Sequence, residues 1–329
     1  MTFRTALLLT AALWLSACAP TAQNSESATP APAIPPADGV SGPVGNVTTV
    51  SVATDGNHSV NTHFVRGDDG WIAVDAQWRL PDAETALSRA NVEASDIVAV
   101  LVTHPHTDHY GGLPTFVAGG APVLMSHGSA ASIRTDAQGF QANREEQFGP
   151  DFPDSFPAPE RTFGDGETLQ LGGRTFEVMV TRQDEAVETA TYYLPDERAL
   201  LTGDLVQNET LPFLLQGGVD GWIDHLDRLR ERFPDAEIVF PGHGRPGPAG
   251  PMIATFREVL VLHRDLIQDA LSDDGAVSEA ERAAIIAGVI KAYPEFRTTA
   301  GVPTREEVIS IGIDSTLANW QIASAREEG

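Results

Sequence analysis

Apolar positions along the chain fall into two alternating kinds of run. Stretches such as "NVTTVSVAT", from about residue 46, put apolar side chains at every second position, the spacing of a half-buried strand. "HFVRGDDGWIAVDAQW" holds two such runs joined through Asp69-Gly70, a hairpin signal. "LPDAETALSRA" has helical spacing with Asp82 near its start, and "DIVAVLVT" is a short apolar strand that leads directly into "HPHTDH". Further on, "APVLMSH" reads as a strand ending at His127, "GDGETLQLGGRTFEVMVT" as a second hairpin, and "ATYYLPDERALLTGDLV" as strands turning at Pro195-Asp196. In "GWIDHLDRLRERF", Trp222, Leu226, Leu229 and Phe233 share one helical face, and "AEIVFPGHG" follows as strand then loop. The Pro- and Phe-bearing stretch from about 135 to 162 is weakly periodic and reads as a loop or short helices over the site. Beyond 250 the pattern is mostly helical, with Ser278/Glu281 and Thr304/Glu307 each spaced as a capping box. Strand followed by helix recurs throughout, so the fold class is α/β.

The first residues follow a different logic. "MTFRTALLLTAALWLSAC" sets Arg4 ahead of an apolar stretch, Ala6 to Leu15, too short to span a bilayer as a helix. Residues 1–18 therefore read as a secretory signal. Its end, Leu15-Ser16-Ala17-Cys18, resembles a bacterial lipobox, in which the cysteine is lipidated after cleavage. Ala19 and Pro20 follow without an aspartate, which favours the outer membrane, with the protein facing the periplasm. Cys18 is the only cysteine, so no intrachain disulfide forms in spite of export. Residues 19–45, rich in Ala, Pro and Ser, read as a disordered tether. A catalytic domain over 46–250 and a helical region over 251–329 packed on it complete the expected organisation.

Charge narrows the partners. The formal net charge is −25, and Lys291 is the only lysine. Such a field repels nucleic acid, and a lysine Schiff base is disfavoured. A small-molecule substrate is the expected partner.

Chemistry concentrates at strand ends. In an extended segment His104 and His106 point to the same side, so two imidazoles converge on one cation. Asp108 and His109 lie just beyond, where a turn can aim them at a second cation. Asp204 in "LLTGDLV" and His243 in "VFPGHG" each follow an apolar strand and sit beside glycine, which lets the backbone turn sharply. Clustered imidazole and carboxylate suit zinc, with manganese or iron as further candidates.

From about 47 to 250 these segments resemble the metallo-β-lactamase superfamily: "VDAQW" for its early strand-ending aspartate, "HPHTDH" for its His-x-His-x-Asp-His signature, "TGD" and "PGHG" for its later ligands. The resemblance implies a four-layer α/β/β/α sandwich, here with a helical C-terminal extension, and two metals at one sheet edge. It implies that His104 and His106 ligate the first metal, that Asp108, His109 and His243 ligate the second, and that Asp204 bridges them. One expected ligand is absent. Where the superfamily usually supplies a histidine, this chain has "TRQDEAVETATYYLP". Counting back from "YYLP" puts Glu185 near the vacant position, with Asp184 as the alternate. A carboxylate there lowers the Lewis acidity of the cation and raises the pKa of a coordinated water.

The implied reaction is hydrolysis of a cyclic amide or ester, a β-lactam or lactone, by a hydroxide shared between two zinc ions, with Asp108 orienting the water. A non-catalytic metal-binding envelope lipoprotein, sensor or carrier, is the alternative, and the missing histidine is its support. Outside this set, His127 reads as a hydrogen-bonded structural group, His225 as a helix-surface group, and His58, His63 and His263 carry no signal. Trp78, Tyr110 and Phe213 are candidates for the cleft or the core. Export gives the first test: Cys18→Ser should move the protein from the membrane to the soluble fraction, and unchanged partitioning would contradict the lipid anchor.

Overall fold

The computed structural model describes residues 38–54, 59–136, 138–216, 218–272, 275–298, 301–302 and 304–327. The expected signal segment with Cys18, most of the expected tether, and His58 lie outside the described residues. The described residues fall within one unit, Ala33–Gly329.

Period-two alternation gives each strand two faces, and the chain uses both. The first sheet runs in sequence order: β1 (Gly39–Val44), β2 (Val47–Ala53), β3 (Ser59–Arg66), β4 (Trp71–Val74), β5 (Ile97–Leu101), β6 (Val123–Ser126) and β7 (Arg161–Phe163). Its first three pairings are antiparallel and its last three parallel. The parallel pairings need crossovers, which α1 (Leu80–Ala90), α2 (Thr107–Tyr110), α3 (Leu113–Phe116), α4 (His127–Thr135) and α5 (Phe140–Phe148) supply. The second sheet contains β8 (Thr168–Leu171), β9 (Arg174–Thr181), β10 (Thr189–Leu194), β11 (Ala199–Gly203), β12 (Ile238–Pro241) and β13 (Gly247–Pro248), in the order β13-β12-β11-β10-β9-β8. Helix α6 (Val219–Arg232) joins β11 to its parallel neighbour β12; α7 (Ala249–Ala270), α8 (Glu279–Ala292) and α9 (Arg305–Glu327) follow.

Three apolar layers hold the four structural layers together. On β4, Ile72 and Val74 face the second sheet while Trp71 and Ala73 face the helices; on β5, Ala99 and Leu101 face inward while Val100 faces out. Between the sheets these meet Phe176, Tyr192, Leu201 and Phe240. Outside the first sheet, Phe64 and Val100 pack on Ala83, Leu87 and Phe116. Outside the second, Met179, Leu200 and Val239 pack on Trp222, Leu226, Leu229 and Phe256. This is the expected α/β/β/α sandwich. The C-terminal helices close a further cluster through Val259, Ile285, Val289 and Ile313, and Trp320 Nε1 donates to Asp220 Oδ2 at 2.8 Å, tying α9 to α6. Among the described residues no helix is long and apolar enough to cross a membrane.

Three local expectations change. Order begins before residue 46, because β1 pairs with β2 from Gly39 onward. His127 does not end a strand: the Ser126 hydroxyl accepts from Ser129 N at 3.2 Å, caps α4, and makes His127 its first residue. The box at Ser278/Glu281 is complete, whereas Thr304 shows only the bond from Glu307 N to its hydroxyl at 3.2 Å.

Trp222 is fully buried, and its Nε1 donates to Leu205 O at 2.9 Å just after Asp204. Trp222→Ala should cost about 3–5 kcal/mol in chemical denaturation. A loss below about 1 kcal/mol would show that α6 does not depend on this anchor.

Candidate metal centre

Four parallel-paired strands, β4 with β5 and β11 with β12, end at one edge of the sandwich, and the polar side chains sit just past those ends. β4 delivers Asp75, β5 delivers His104 to His109, β11 delivers Asp204, and β12 delivers His243. All are buried. Chain turning at these ends is sharp. Asp75 and Gln77 both have positive φ, 63° and 68°, a conformation costly for residues other than glycine and one that turns the Asp75 carboxylate inward. Gly242 precedes His243 because a Cβ there would stand 2.0 Å from Asp204 Oδ1 and 2.8 Å from His109 Cε1.

The histidines are held by their outer nitrogens. His109 Nδ1 donates to Asp75 Oδ2 at 2.8 Å, and His243 Nδ1 donates to the Ser59 carbonyl at 2.7 Å. The Thr103 hydroxyl donates to Asp75 Oδ2 at 2.9 Å and accepts from His104 Nδ1 at 2.9 Å. With each Nδ1 carrying a proton to an outer acceptor, each Nε2 is turned to the centre. There, His109 Nε2 lies 3.4 Å from Asp108 Oδ2 and 3.5 Å from Asp204 Oδ1, and His243 Nε2 lies 3.0 Å from Asp204 Oδ2. His104 Nε2 lies 4.0 Å from Asp204 Oδ2. His106 turns Nδ1 toward Glu185 Oε1 at 3.7 Å.

Donor atoms therefore gather in three overlapping sets: His104, His106 and Glu185; His104, His109 and Asp204; Asp108, His109 and His243. His104 Nε2 and Asp204 Oδ1 are buried without hydrogen-bond partners. Orphaned buried atoms of this kind are costly unless a further partner satisfies them, and these two converge with the rest of the donors. Nitrogen and carboxylate oxygen in this proportion fit two divalent cations, with zinc well matched.

Electrostatics agree with that donor set. Burial lowers the pKa of His104 well below the usual imidazole value, with the His109 charge adding to it, and burial lowers His106 to about 4. Burial also works against charge on His109 and His243, but the Asp204 and Asp108 carboxylates outweigh it, raising His109 well above its ordinary value and His243 to about 10. Burial first, and then the Asp204 charge, raises Glu185 well above the ordinary carboxylate value. Three buried carboxylates close together repel one another and call for positive charge between them.

All seven sequence-derived candidates come together. The choice between the two neighbouring acids also resolves geometrically. Asp184 turns away, accepting from the Thr189 hydroxyl at 2.6 Å, while Glu185 faces His106. Four supporting residues had weak signals or none. Asp75 stands in the strand-ending "VDAQW", but its link to His109 was not legible. Thr103 looked like the last residue of a strand. Asn61 Nδ2 donates to the carbonyls of Pro241 at 2.8 Å and Gly244 at 2.7 Å, bracing the His243 loop. Gln207 Nε2 donates to Glu185 Oε2 at 3.0 Å and Asp204 Oδ2 at 3.1 Å.

The remaining histidines stand apart. His63 joins Thr49 to the Pro241 carbonyl, His127 meets the Thr162 hydroxyl, His225 meets the Arg182 carbonyl, and His263 is buried among the C-terminal helices. Trp78 and Phe213 line the cleft above the centre, whereas Tyr110 belongs to the core, edge-on to Phe156. Larger hollows, about 570 Å³ beside α6 and α7 and about 600 Å³ beside α4, hold none of these ligands.

A family model described as the metallo-beta-lactamase superfamily matches residues 55–243, which contain the whole cluster. The chain is 18% identical over 200 residues to a metallo-beta-lactamase type 2 of Elizabethkingia meningoseptica, covering 60% of this chain and 73% of that one. It is 27% identical over 163 residues to a hydroxyacylglutathione hydrolase of Chromohalobacter salexigens, covering 49% of this chain and 54%, about half, of that enzyme. A crystal structure of a beta-lactamase domain protein from Burkholderia ambifaria superposes with a TM-score of 0.59 at 18% identity, covering 87% of this chain and 88% of that one.

Asp75 holds His109 directly and His104 through Thr103, so its charge should matter without its being a ligand. Asp75→Asn should lower zinc affinity about 10- to 100-fold in a competitive chelator titration. Affinity equal to the parent's would mean that the histidines hold their orientation unaided.

Proposed function

This chain belongs to the metallo-beta-lactamase superfamily of metal-dependent hydrolases, and from that premise we propose that it uses two zinc ions to hydrolyse a cyclic amide or ester, a β-lactam or lactone, of a small molecule. One observation carries the reading: three Nε2 atoms, each oriented by a protonated Nδ1, converge in a buried space with the carboxylates of Asp108, Glu185 and Asp204. His104, His106 and Glu185 would hold one cation, Asp108, His109 and His243 the other, with Asp204 shared. When bound, the cations would acidify a water and polarise the electrophile.

The chain's own groups do the rest. Asp108 lines the cleft beside His106 and can orient a water and accept its proton. Asp75 and Thr103 keep the imidazoles of His109 and His104 in the tautomer that presents Nε2. Gln207 holds Glu185 and Asp204 together through one amide nitrogen, limiting their freedom to swing apart. Phe140 and Phe213 pack against His106 with ring centroids 5.5 and 6.3 Å away, excluding water from that side.

Glu185 bears on the choice between turnover and mere metal storage. The non-catalytic reading drew on the missing histidine, and a carboxylate facing His106 would supply a donor at that position. Export and a lipid anchor through Cys18 belong to the same proposal. They favour substrates met in the cell envelope over cytosolic thioesters.

A panel of chromogenic β-lactams and lactones, run with zinc, manganese and iron in turn, tests the reading. Turnover is expected with at least one substrate, together with two bound metals, and His106→Ala should reduce it by more than about a hundredfold. A folded protein that binds one metal and turns over nothing would overturn the proposal.

A further inference from the structure

Glu185 is delivered by the loop 182–188, which joins β9 to β10 beyond their last pair, Thr181 and Thr189. Its backbone is not relaxed: Gln183 has φ of 57°, a conformation that a non-glycine residue keeps only where its surroundings hold it. Space lies on both sides of this loop. Glu185 lines the narrow cleft at the cluster, whereas Arg182 and Glu188 line a hollow of about 330 Å³ behind it, with His127, His225 and Arg228. A loop with open volume behind it can retreat from the cluster unless something spans that volume.

Glu188 spans it. The side chain is buried; Oε2 accepts from Gly128 N at 2.6 Å, and Oε1 accepts from Arg182 Nε at 2.9 Å and Nη2 at 2.8 Å. Gly128 lies in the first turn of α4, where backbone N–H groups and the helix dipole favour a carboxylate. The other restraints act differently. The Asp184 bond to Thr189 closes the loop on itself, and His225 Nε2 fixes only the loop's entry by donating to the Arg182 carbonyl at 2.9 Å. Glu188 ties the exit to a helix attached to the first sheet. Its two bonds are unequal: the Arg182 side chain is 74% exposed, so that ion pair is screened and contributes little, whereas the Gly128 bond is partly buried and charge-assisted. Gly128 leaves the carboxylate its place, since a Cβ there would stand 2.4 Å from Glu188 Cδ.

We propose that Glu188 is a positioning residue for the centre: by bonding Gly128 N across the hollow it fixes the loop so that Glu185 faces His106, and so sets the affinity of the cation held by His104, His106 and Glu185. This role rests on the two-cation reading of the cluster and adds to it a residue outside the donor sets.

Competitive chelator titration of the full chain with zinc, resolving the bound ions, tests it. Glu185→Ala first identifies the ion that depends on Glu185. Glu188→Ala should weaken that same ion about 10- to 100-fold and leave the other within about threefold. Glu188→Gln, whose amide oxygen still accepts from Gly128 N, should stay within about threefold of the parent, as should Arg182→Met. Gly128→Ala guards against a merely structural role. Alanine raises helix propensity and offsets the lost bond, so the melting temperature should change little, while displacement of Glu188 should weaken the same ion about 10-fold. If Glu188→Ala does not fold, Gly128→Ala decides by that selective loss or its absence. Equal weakening of both ions, no change in either, or Glu188→Gln no better than Glu188→Ala would overturn the proposal and leave the cluster reading intact. If Glu185→Ala leaves every zinc affinity unchanged, the Glu185 assignment fails and the role of Glu188 falls with it.

Discussion

A single buried carboxylate, Asp75, organises the centre. It accepts from His109 Nδ1, from the Thr103 hydroxyl and from Thr103 N at 2.8 Å, and Thr103 in turn accepts from His104. Two histidines that follow β5 thereby acquire a defined tautomer from the residue just past β4. That arrangement requires β4 and β5 to be parallel neighbours ending at the same level, which the α1 crossover provides. It also requires the unusual backbone at Asp75 and Gln77, where φ is positive in both residues. Burial of Ile72, Val74, Ala99 and Leu101 between the sheets offsets the cost of that local geometry.

The second sheet contributes through a separate set of constraints. Gly242 allows Asp204 and His109 to approach, and Asn61 on the first sheet braces the loop of the second by two side-chain bonds. His243 donates to the Ser59 carbonyl at the start of β3, so the ligand loop is tied across the sandwich. Neither sheet alone holds a complete donor set. Metal affinity and sheet packing are in this sense coupled, since displacing the sheets would separate His243 from His109.

Much of this was legible in the sequence because the strands alternate clearly and each ligand follows an apolar run. "HPHTDH", "TGD" and "PGHG" each mark the end of a strand, and strand ends are where the backbone can present polar groups. What was not legible depends on partners distant in sequence. Asn61 and Gln207 are ordinary polar residues until the fold brings carbonyls and carboxylates to them. β1 was missed because "GVSGPV" has the composition of a linker, and its pairing with β2 comes from backbone hydrogen bonds that composition does not reveal. The start of α4 was hidden because Ser126 ends a strand and caps a helix at once. Between Asp184 and Glu185, adjacency leaves the question open. The chain is irregular there, with φ at Gln183 of 57°, so simple alternation does not apply.

We propose that the Glu185 carboxylate completes a two-cation centre whose histidines are oriented from behind. Anomalous diffraction at the zinc edge, from crystals of the zinc-loaded protein, tests it most directly. Two peaks are expected, one within about 2.0–2.2 Å of a Glu185 oxygen and of nitrogens from His104 and His106, and the other at Asp108, His109 and His243. A single peak, or two peaks with the Glu185 carboxylate turned away from both, would contradict the account.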